Sequence, residues 1–159
     1  MKRPIELYDD DDQKRHTVHG AYAIGEDKHI TLMYNNRCDV ETLHELIEHL
    51  KSLPTGRKVV PREIVELAPN SNEPLIGVRV EIMKEDGETV DDALMKKLAD
   101  FHDKYSWRSY LEQQYTFKMH ITLGLKKDNP DTSVVKEWDL VTGKKYYKIH
   151  ASQKYGHFE

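Results

Sequence analysis

The chain has 159 residues, of which 38% are hydrophobic and 33% are charged, and its formal net charge is −4. This length fits one domain with a buried core, and the recurring apolar runs exclude a disordered chain. The negative charge provides no extended positive field, which excludes a long nucleic-acid duplex as the partner but leaves room for a short oligonucleotide in a local basic pocket.

The chain has one cysteine, Cys38, so an internal disulfide is impossible and a cysteine-based zinc site is not expected. The first residues lack the apolar stretch of a signal peptide, and no window approaches the ~20 apolar residues of a membrane span. We therefore expect a cytoplasmic protein that does not contact membranes. Its oligomeric state is left open by the sequence.

The chain is expected to form a single domain over residues 1–159, in which residues 1–16 are a flexible segment. The acidic run at residues 9–12 resembles part of a calcium loop but lacks the glycine and the closing glutamate of one. Alternating or apolar runs predict strands near residues 17–24 and 28–34, with a turn at Gly25 between them. Asp39 is a suitable N-cap for a helix over residues 40–53.

The second half of the chain repeats this content. Residues 58–67, interrupted by Pro61, predict an edge or bulged strand, and residues 75–83 predict a regular strand. A second helix is expected from about 90 to 104, followed by strands near 118–125, 134–141 and 146–151. Helices that do not alternate singly with strands argue for an α+β fold with antiparallel sheets, and against a parallel doubly wound sheet.

The sequence His-Ile-Thr-Leu occurs twice, starting at His29 and at His120, and both copies fall on predicted strands. On a strand, residues i and i+2 point to the same face. Each histidine therefore shares a face with the threonine that follows it, Thr31 or Thr122. In each motif the histidine and threonine therefore lie on one face of the strand, and the isoleucine and leucine lie on the other.

Two imidazoles suit the cleavage of a phosphodiester. One can activate the attacking oxygen as a base while the other protonates the leaving oxygen. Threonine hydroxyls can donate to the non-bridging phosphate oxygens. A single His-x-Thr is more often structural, but two strand-borne copies favour catalysis. A zinc site would need a third ligand such as His19, which no pattern places there, so no metal and no cofactor are expected.

The doubled His-x-Thr motif resembles that of the 2H phosphoesterase superfamily. The resemblance covers about residues 17–151, although only the motifs are specific. It implies a bilobal (two-lobed) α+β domain with two antiparallel sheets forming a central cleft and the helices on the outside. In that fold His29 and His120 are the acid–base pair, and Thr31 and Thr122 orient the phosphate. Residues 28–34 look most like viral members, including the phage enzymes that destroy the cyclic oligonucleotide signals of bacterial immunity (anti-CBASS). A viral origin would imply the host cytoplasm.

A nucleotide enzyme also needs aromatic and basic side chains for the bases and phosphates. The candidates for substrate binding flank the two motifs and are Tyr22, Tyr34, Trp107, Arg108 and Lys118. For most of the tyrosines, core packing is the alternative interpretation. Lys118 fits a phosphate contact and a solvated strand end equally well.

The sequence therefore predicts a metal-independent phosphodiesterase that acts on a small ribonucleotide. The substrate classes are a cyclic oligonucleotide messenger, a 2′-5′ oligoadenylate or a 2′,3′-cyclic phosphate. A non-catalytic nucleotide- or RNA-binding module on the same fold is the alternative from another class.

Overall fold

The computed structural model describes residues 16–25, 27–68, 72–106, 119–149 and 154–158. This described part contains two helices and eight strands, with short 3₁₀ turns at Lys126–Asp128 and Ser133–Glu137. The elements are β1 (His16–Ile24), β2 (Lys28–Cys38), α1 (Val40–Ser52), β3 (Lys58–Leu67), β4 (Leu75–Ile82), α2 (Asp92–Tyr105), β5 (His120–Leu125), β6 (Leu140–Val141), β7 (Lys145–Ile149) and β8 (Lys154–Phe158).

The strands form one eight-stranded sheet in the order β6-β3-β4-β5-β2-β1-β7-β8, and the pairings between neighbours are antiparallel. The α+β class predicted from the sequence is confirmed, although the strands predicted as two sheets are joined into one. Four strands lie on each side of the β2–β5 junction. Within the described residues, that junction has one register pair, Ile30 with Ile121.

Aspartates begin both helices, as the sequence predicted for the first. The Asp39 carboxylate accepts a hydrogen bond from the Thr42 amide at 2.8 Å, and the Asp91 carboxylate accepts one from the Leu94 amide at 3.1 Å. These bonds satisfy amides that the first turn of a helix leaves without a partner. Because Asp91 is the cap, α2 begins two residues later than its predicted start.

The helices bury apolar stripes against one face of the sheet. The stripe of α1 is spaced at i, i+3, i+4 and i+7, which is the helical repeat predicted from the sequence. These side chains join the strand residues in one apolar core, whose members include Ile30, Leu32, Leu43, Leu46, Ile47, Leu50, Leu94, Leu98 and Ile121. The opposite face of the sheet is left for polar side chains. Among the described helices, none is long and apolar enough to cross a membrane.

The C-terminal end of α1 is tied to the sheet by two buried side chains on adjacent strands. The Lys145 ammonium donates to the Leu53 carbonyl at 2.9 Å, and the Tyr22 hydroxyl donates to the Pro54 carbonyl at 2.5 Å. Tyr22 and Lys145 are register partners on β1 and β7. The Lys145 ammonium thus lies at the C-terminal end of α1, where the unpaired carbonyls and the negative end of the helix dipole stabilise a positive charge.

Three predictions about element boundaries are wrong. His16, assigned to a flexible N-terminal segment, begins β1 and is buried. Of the strand predicted over 134–141, only Leu140–Val141 forms a strand. Residues 134–137 belong to a 3₁₀ turn, because the Asp131 carboxylate accepts from the Ser133 amide at 2.9 Å and starts a local turn instead. Residues 154–158, where no strand was predicted, form β8 on the outer side of β7.

Candidate active site

The two His-Ile-Thr-Leu segments lie on neighbouring strands at the centre of the sheet. Ile30 on β2 and Ile121 on β5 are antiparallel register partners, and both are buried in the core beneath the helices. Two side chains directly opposite each other in an antiparallel pair point to the same face, and their neighbours along each strand point to the other face. The paired isoleucines therefore fix which face carries the motif residues.

The four motif side chains share the face opposite the helices. Extending the register of Ile30 with Ile121 by one residue in each direction aligns His29 with Thr122 and Thr31 with His120, so each histidine lies across from the other motif's threonine. His29, Thr31 and His120 are half-buried and Thr122 is exposed. Directly opposed side chains in such a ladder have Cβ atoms about 5 Å apart, which is close enough for both pairs to meet one phosphate group.

A β-bulge just after the first motif adds an aromatic ring to this face. The register between β1 and β2 shifts between Gly20 and Ala21, leaving one extra residue on β2. As a result Leu32 and Met33 are both buried, and the alternation resumes with Tyr34, which is 40% exposed. Without the bulge, Tyr34 would point into the core, because a one-residue shift exchanges the two faces.

His19 on β1 is the residue that sequence reasoning did not place in the site. Its Nε2 atom lies 2.6 Å from the Thr31 hydroxyl oxygen. Its ring meets the His29 ring edge to face, with centroids 5.0 Å apart and planes at 77°, and lies 6.4 Å from the Tyr34 ring. No signal in the sequence marks His19, since its place depends on the bulge and on strand pairing.

Strand β7 extends the same face with Lys148, the register partner of His19. The Lys148 ammonium also lies over the Tyr146 ring, 5.6 Å from its centroid. Burial is the main cause that lowers the pKa of His29, and the positive charges of Lys148 and His120 lower it further. His29 therefore holds its neutral, proton-accepting form at pH 7.

Strand β4 borders the site on the other side. Arg79 is the register partner of His120, and Gly77 is the partner of Thr122. The Arg79 guanidinium donates to the Glu63 carboxylate at 2.7 Å. A Cβ at Gly77 would lie 3.0 Å from the Ile121 carbonyl oxygen, so glycine leaves the backbone beside Thr122 uncrowded.

The C-terminal end of α2 is bonded to the backbone of β2 beyond the first motif. The Tyr34 amide donates to the Ser106 hydroxyl at 3.2 Å. His102, in the last turn of the helix, is buried, and its pKa is lowered to about 4, first by burial and then by the positive charge of His120. The second motif histidine thus lies within electrostatic range of both His29 and His102.

The candidate substrate-binding residues divide into three groups. Tyr34 lies on the motif face, as a substrate contact requires. Tyr22 is fully buried, and its hydroxyl is bonded to Pro54, so its predicted contact with substrate is corrected to a core role. Trp107, Arg108 and Lys118 lie outside the described residues.

Among the residues that the structure describes, no group of three or more histidine, cysteine, aspartate or glutamate side chains is arranged to hold a metal ion. Cys38 is buried in the core at the end of β2.

A groove of about 850 Å³ lies away from the motifs, between α1 and α2. One of its walls contains His49, whose ring stacks on Phe101 with centroids 3.9 Å apart. Burial, with a smaller contribution from Lys97, lowers the pKa of His49 to about 4. None of the four motif residues lines this groove.

The chain was compared with models of protein families, with curated proteins and with solved structures, and nothing matches it in any of the three.

Proposed function

We propose that the protein is a metal-independent phosphodiesterase that uses His29 and His120 as its acid–base pair. The observation that supports this most is the register pair of Ile30 and Ile121, which aligns two otherwise distant His-x-Thr motifs on one face of the sheet. Two unrelated structural histidines have no reason to oppose two threonines in this crossed manner. In this proposal the two four-stranded halves act as the lobes of a 2H phosphoesterase-like fold.

The environments of the two histidines suggest which one is the base. His29 has a lowered pKa, so it is neutral at pH 7 and can accept the proton of the attacking oxygen. His120 then donates a proton to the leaving oxygen as the P–O bond breaks. Each catalytic cycle ends with the proton returned from His29 to His120 through solvent or product. The hydroxyls of Thr31 and Thr122 donate to the non-bridging oxygens as their charge grows.

The substrate class that fits this face is a small ribonucleotide. The net charge of −4 does not support many phosphate contacts along a duplex. Tyr34 provides one exposed ring for a base to stack on, which suits a short molecule. Attack by or on a 2′-oxygen requires only proton transfers, which two imidazoles can supply. We favour a cyclic oligonucleotide messenger, followed by an RNA 2′,3′-cyclic phosphate end or a 2′-5′ oligoadenylate.

A substrate screen tests the proposal. The purified protein is incubated in excess EDTA with cyclic di- and trinucleotides, 2′-5′ oligoadenylates and 2′,3′-cyclic nucleotides, and the product ends are identified. We expect cleavage that the chelator does not reduce and that His120→Ala abolishes. Loss of activity on chelation would point instead to a metal-bound hydroxide. Tight binding without turnover would favour the non-catalytic nucleotide-binding module.

A second comparison tests the chemistry of the cleaved bond. The best substrate of the screen is prepared with hydrogen in place of the 2′-hydroxyl. If the 2′-oxygen takes part in the reaction, the deoxy analogue should still bind but should not be cut. Equal cleavage rates for the two molecules would rule out a role for the 2′-oxygen.

A further inference from the structure

We infer that His19 is a positioning residue that sets the direction of the Thr31 hydroxyl proton. This inference rests on the proposed function, because it assigns His19 a task within the same site. It starts from the 2.6 Å contact between His19 Nε2 and Thr31 Oγ1, which is a short hydrogen bond between side chains on adjacent strands.

A threonine hydroxyl has one proton to donate and can accept hydrogen bonds through its lone pairs. If the Thr31 hydroxyl donated its hydrogen bond to His19, it would present only lone pairs to a phosphate oxygen. The hydroxyl oxygen and the phosphate oxygen, both partially negative, would then repel each other. If His19 carries the proton on Nε2 and donates, the Thr31 proton is free to turn to the phosphate. The state of His19 therefore decides whether Thr31 helps or hinders binding of the anion.

The surroundings of His19 hold its ring in place for this task. Its partners across the two adjacent strands are Tyr34 on β2 and Lys148 on β7, so it lies in the interior of the sheet and not at an edge. The edge-to-face contact with the His29 ring, at 5.0 Å, restrains the imidazole from a second side. A ring fixed in this way orients the Thr31 hydroxyl before the substrate binds. A hydrogen bond that is already oriented stabilises the transition state most, because no reorganisation is needed during the reaction.

Substitutions of His19 distinguish the effect of its N–H donor from the effect of its aromatic ring. His19→Phe keeps a ring against His29 but removes the donor. His19→Gln places an amide nitrogen near the position of Nε2, whereas the shorter His19→Asn cannot reach Thr31. We expect His19→Phe and His19→Asn to lower kcat about tenfold, the size of one hydrogen bond of ~1.4 kcal/mol, and also to raise KM, because the same hydroxyl contacts the phosphate of the bound substrate. His19→Gln should recover most of that loss.

A double-mutant cycle with Thr31→Val tests whether His19 acts through Thr31. In the Thr31→Val background, His19→Phe should change kcat by less than about twofold, because the hydroxyl that it orients is gone. His49→Phe, a half-buried histidine on α1 away from the motifs, is the matched control and should leave kcat unchanged. If His19→Phe does not fold, His19→Asn completes the same cycle.

The same double-mutant cycle is also applied to the affinity for inorganic phosphate. This affinity is measured by NMR titration and does not require turnover. Non-additive losses in both readouts support the inference. Additive losses, or a failure of His19→Gln to recover activity, overturn it. If the wild type binds phosphate with a non-additive cycle but cleaves no substrate, the proposed function fails and the role of His19 at an anion site stands. Absence of both phosphate binding and cleavage overturns both.

Discussion

Ile30 pairs with Ile121 across the centre of the sheet, and this contact between two buried side chains aligns the polar residues on either side of them. The isoleucines belong to the core under the helices, whereas their neighbours belong to the opposite face. The apolar residues of each motif thus determine where its histidine and threonine lie. The following predictions depend on that alignment.

Single substitutions His29→Ala and His120→Ala should each lower the cleavage rate by on the order of 10²–10⁴, because each removes the acid or the base. The double variant should lose far less than the product of the two single losses, since the two groups act as one unit. Single-turnover rates on the best substrate measure these effects. His44→Ala on α1 is the control, and substantial activity in His120→Ala would contradict the assignment.

The rate should fall at low pH as His29 becomes protonated, and because its pKa is lowered this fall should lie below pH 6.5. Lys148→Met removes one of the positive charges that lower this pKa. The pKa of His29 should therefore rise, and the acid limb of the pH–rate profile should move to higher pH. Lys97→Met, which removes a lysine beside the groove, should leave the limb in place. An unchanged limb in Lys148→Met would show that another group controls it.

Stability should fall as the pH is lowered from about 6.5 to about 4. The pKa of His102 is about 4 in the folded chain, below its ordinary value of 6.5, so the unfolded state binds more protons throughout this interval. The contribution of His102 is present above pH 6.5 and decreases by on the order of 3 kcal/mol across the window. Urea unfolding at several pH values measures it.

His49, with a pKa also lowered to about 4, should add a slope of the same sign. The double variant His49→Gln, His102→Gln should therefore flatten the dependence more than either single change. A wild-type unfolding free energy that stays constant between pH 6.5 and 4 would refute the buried, neutral state of both rings.

The two tyrosines that flank the first motif should respond differently to substitution. Tyr22→Phe removes the hydroxyl that bonds the Pro54 carbonyl, so it should lower the free energy of unfolding by about 1 kcal/mol and leave cleavage unchanged. Tyr34→Ala removes an exposed ring, so it should leave stability almost unchanged and raise KM by about tenfold through lost stacking. Thermal unfolding and steady-state kinetics on both variants separate these roles.

Local patterns were sufficient to predict most elements. The helical repeat behind Asp39 predicted α1 to within one residue, and the alternation over 75–83 predicted β4. These succeed because capping and side-chain periodicity depend on residues close in sequence. That the histidine and the threonine of each motif share one face of their strand also followed from the strand period.

Features that depend on pairing between strands were missed. The bulge that turns Tyr34 outwards and the place of His19 both arise from the register of β1 against β2, which no short pattern encodes. The assignment of Tyr22 to substrate failed for a different reason: Tyr22 lies on the core face of β1 with Val18 and Ile24, as the alternation along that strand would have indicated. The strand predicted near residue 134 failed because local hydrogen bonding at Asp131 favours a turn.

The neighbouring positions of β2 and β5 also have a consequence for the order of folding. The hairpin of β1 and β2 is local and needs only a short loop closure, whereas β2 meets β5 only after two helices and two further strands have been added to the chain. Contacts between residues so far apart in sequence form late and slowly, because the loop entropy is lost before the contact is gained. A nascent chain that ends after α2 therefore contains His29 and its neighbour β1 but lacks β5 and His120, and the proposed cleavage activity should emerge only when β5 has been synthesised and docked.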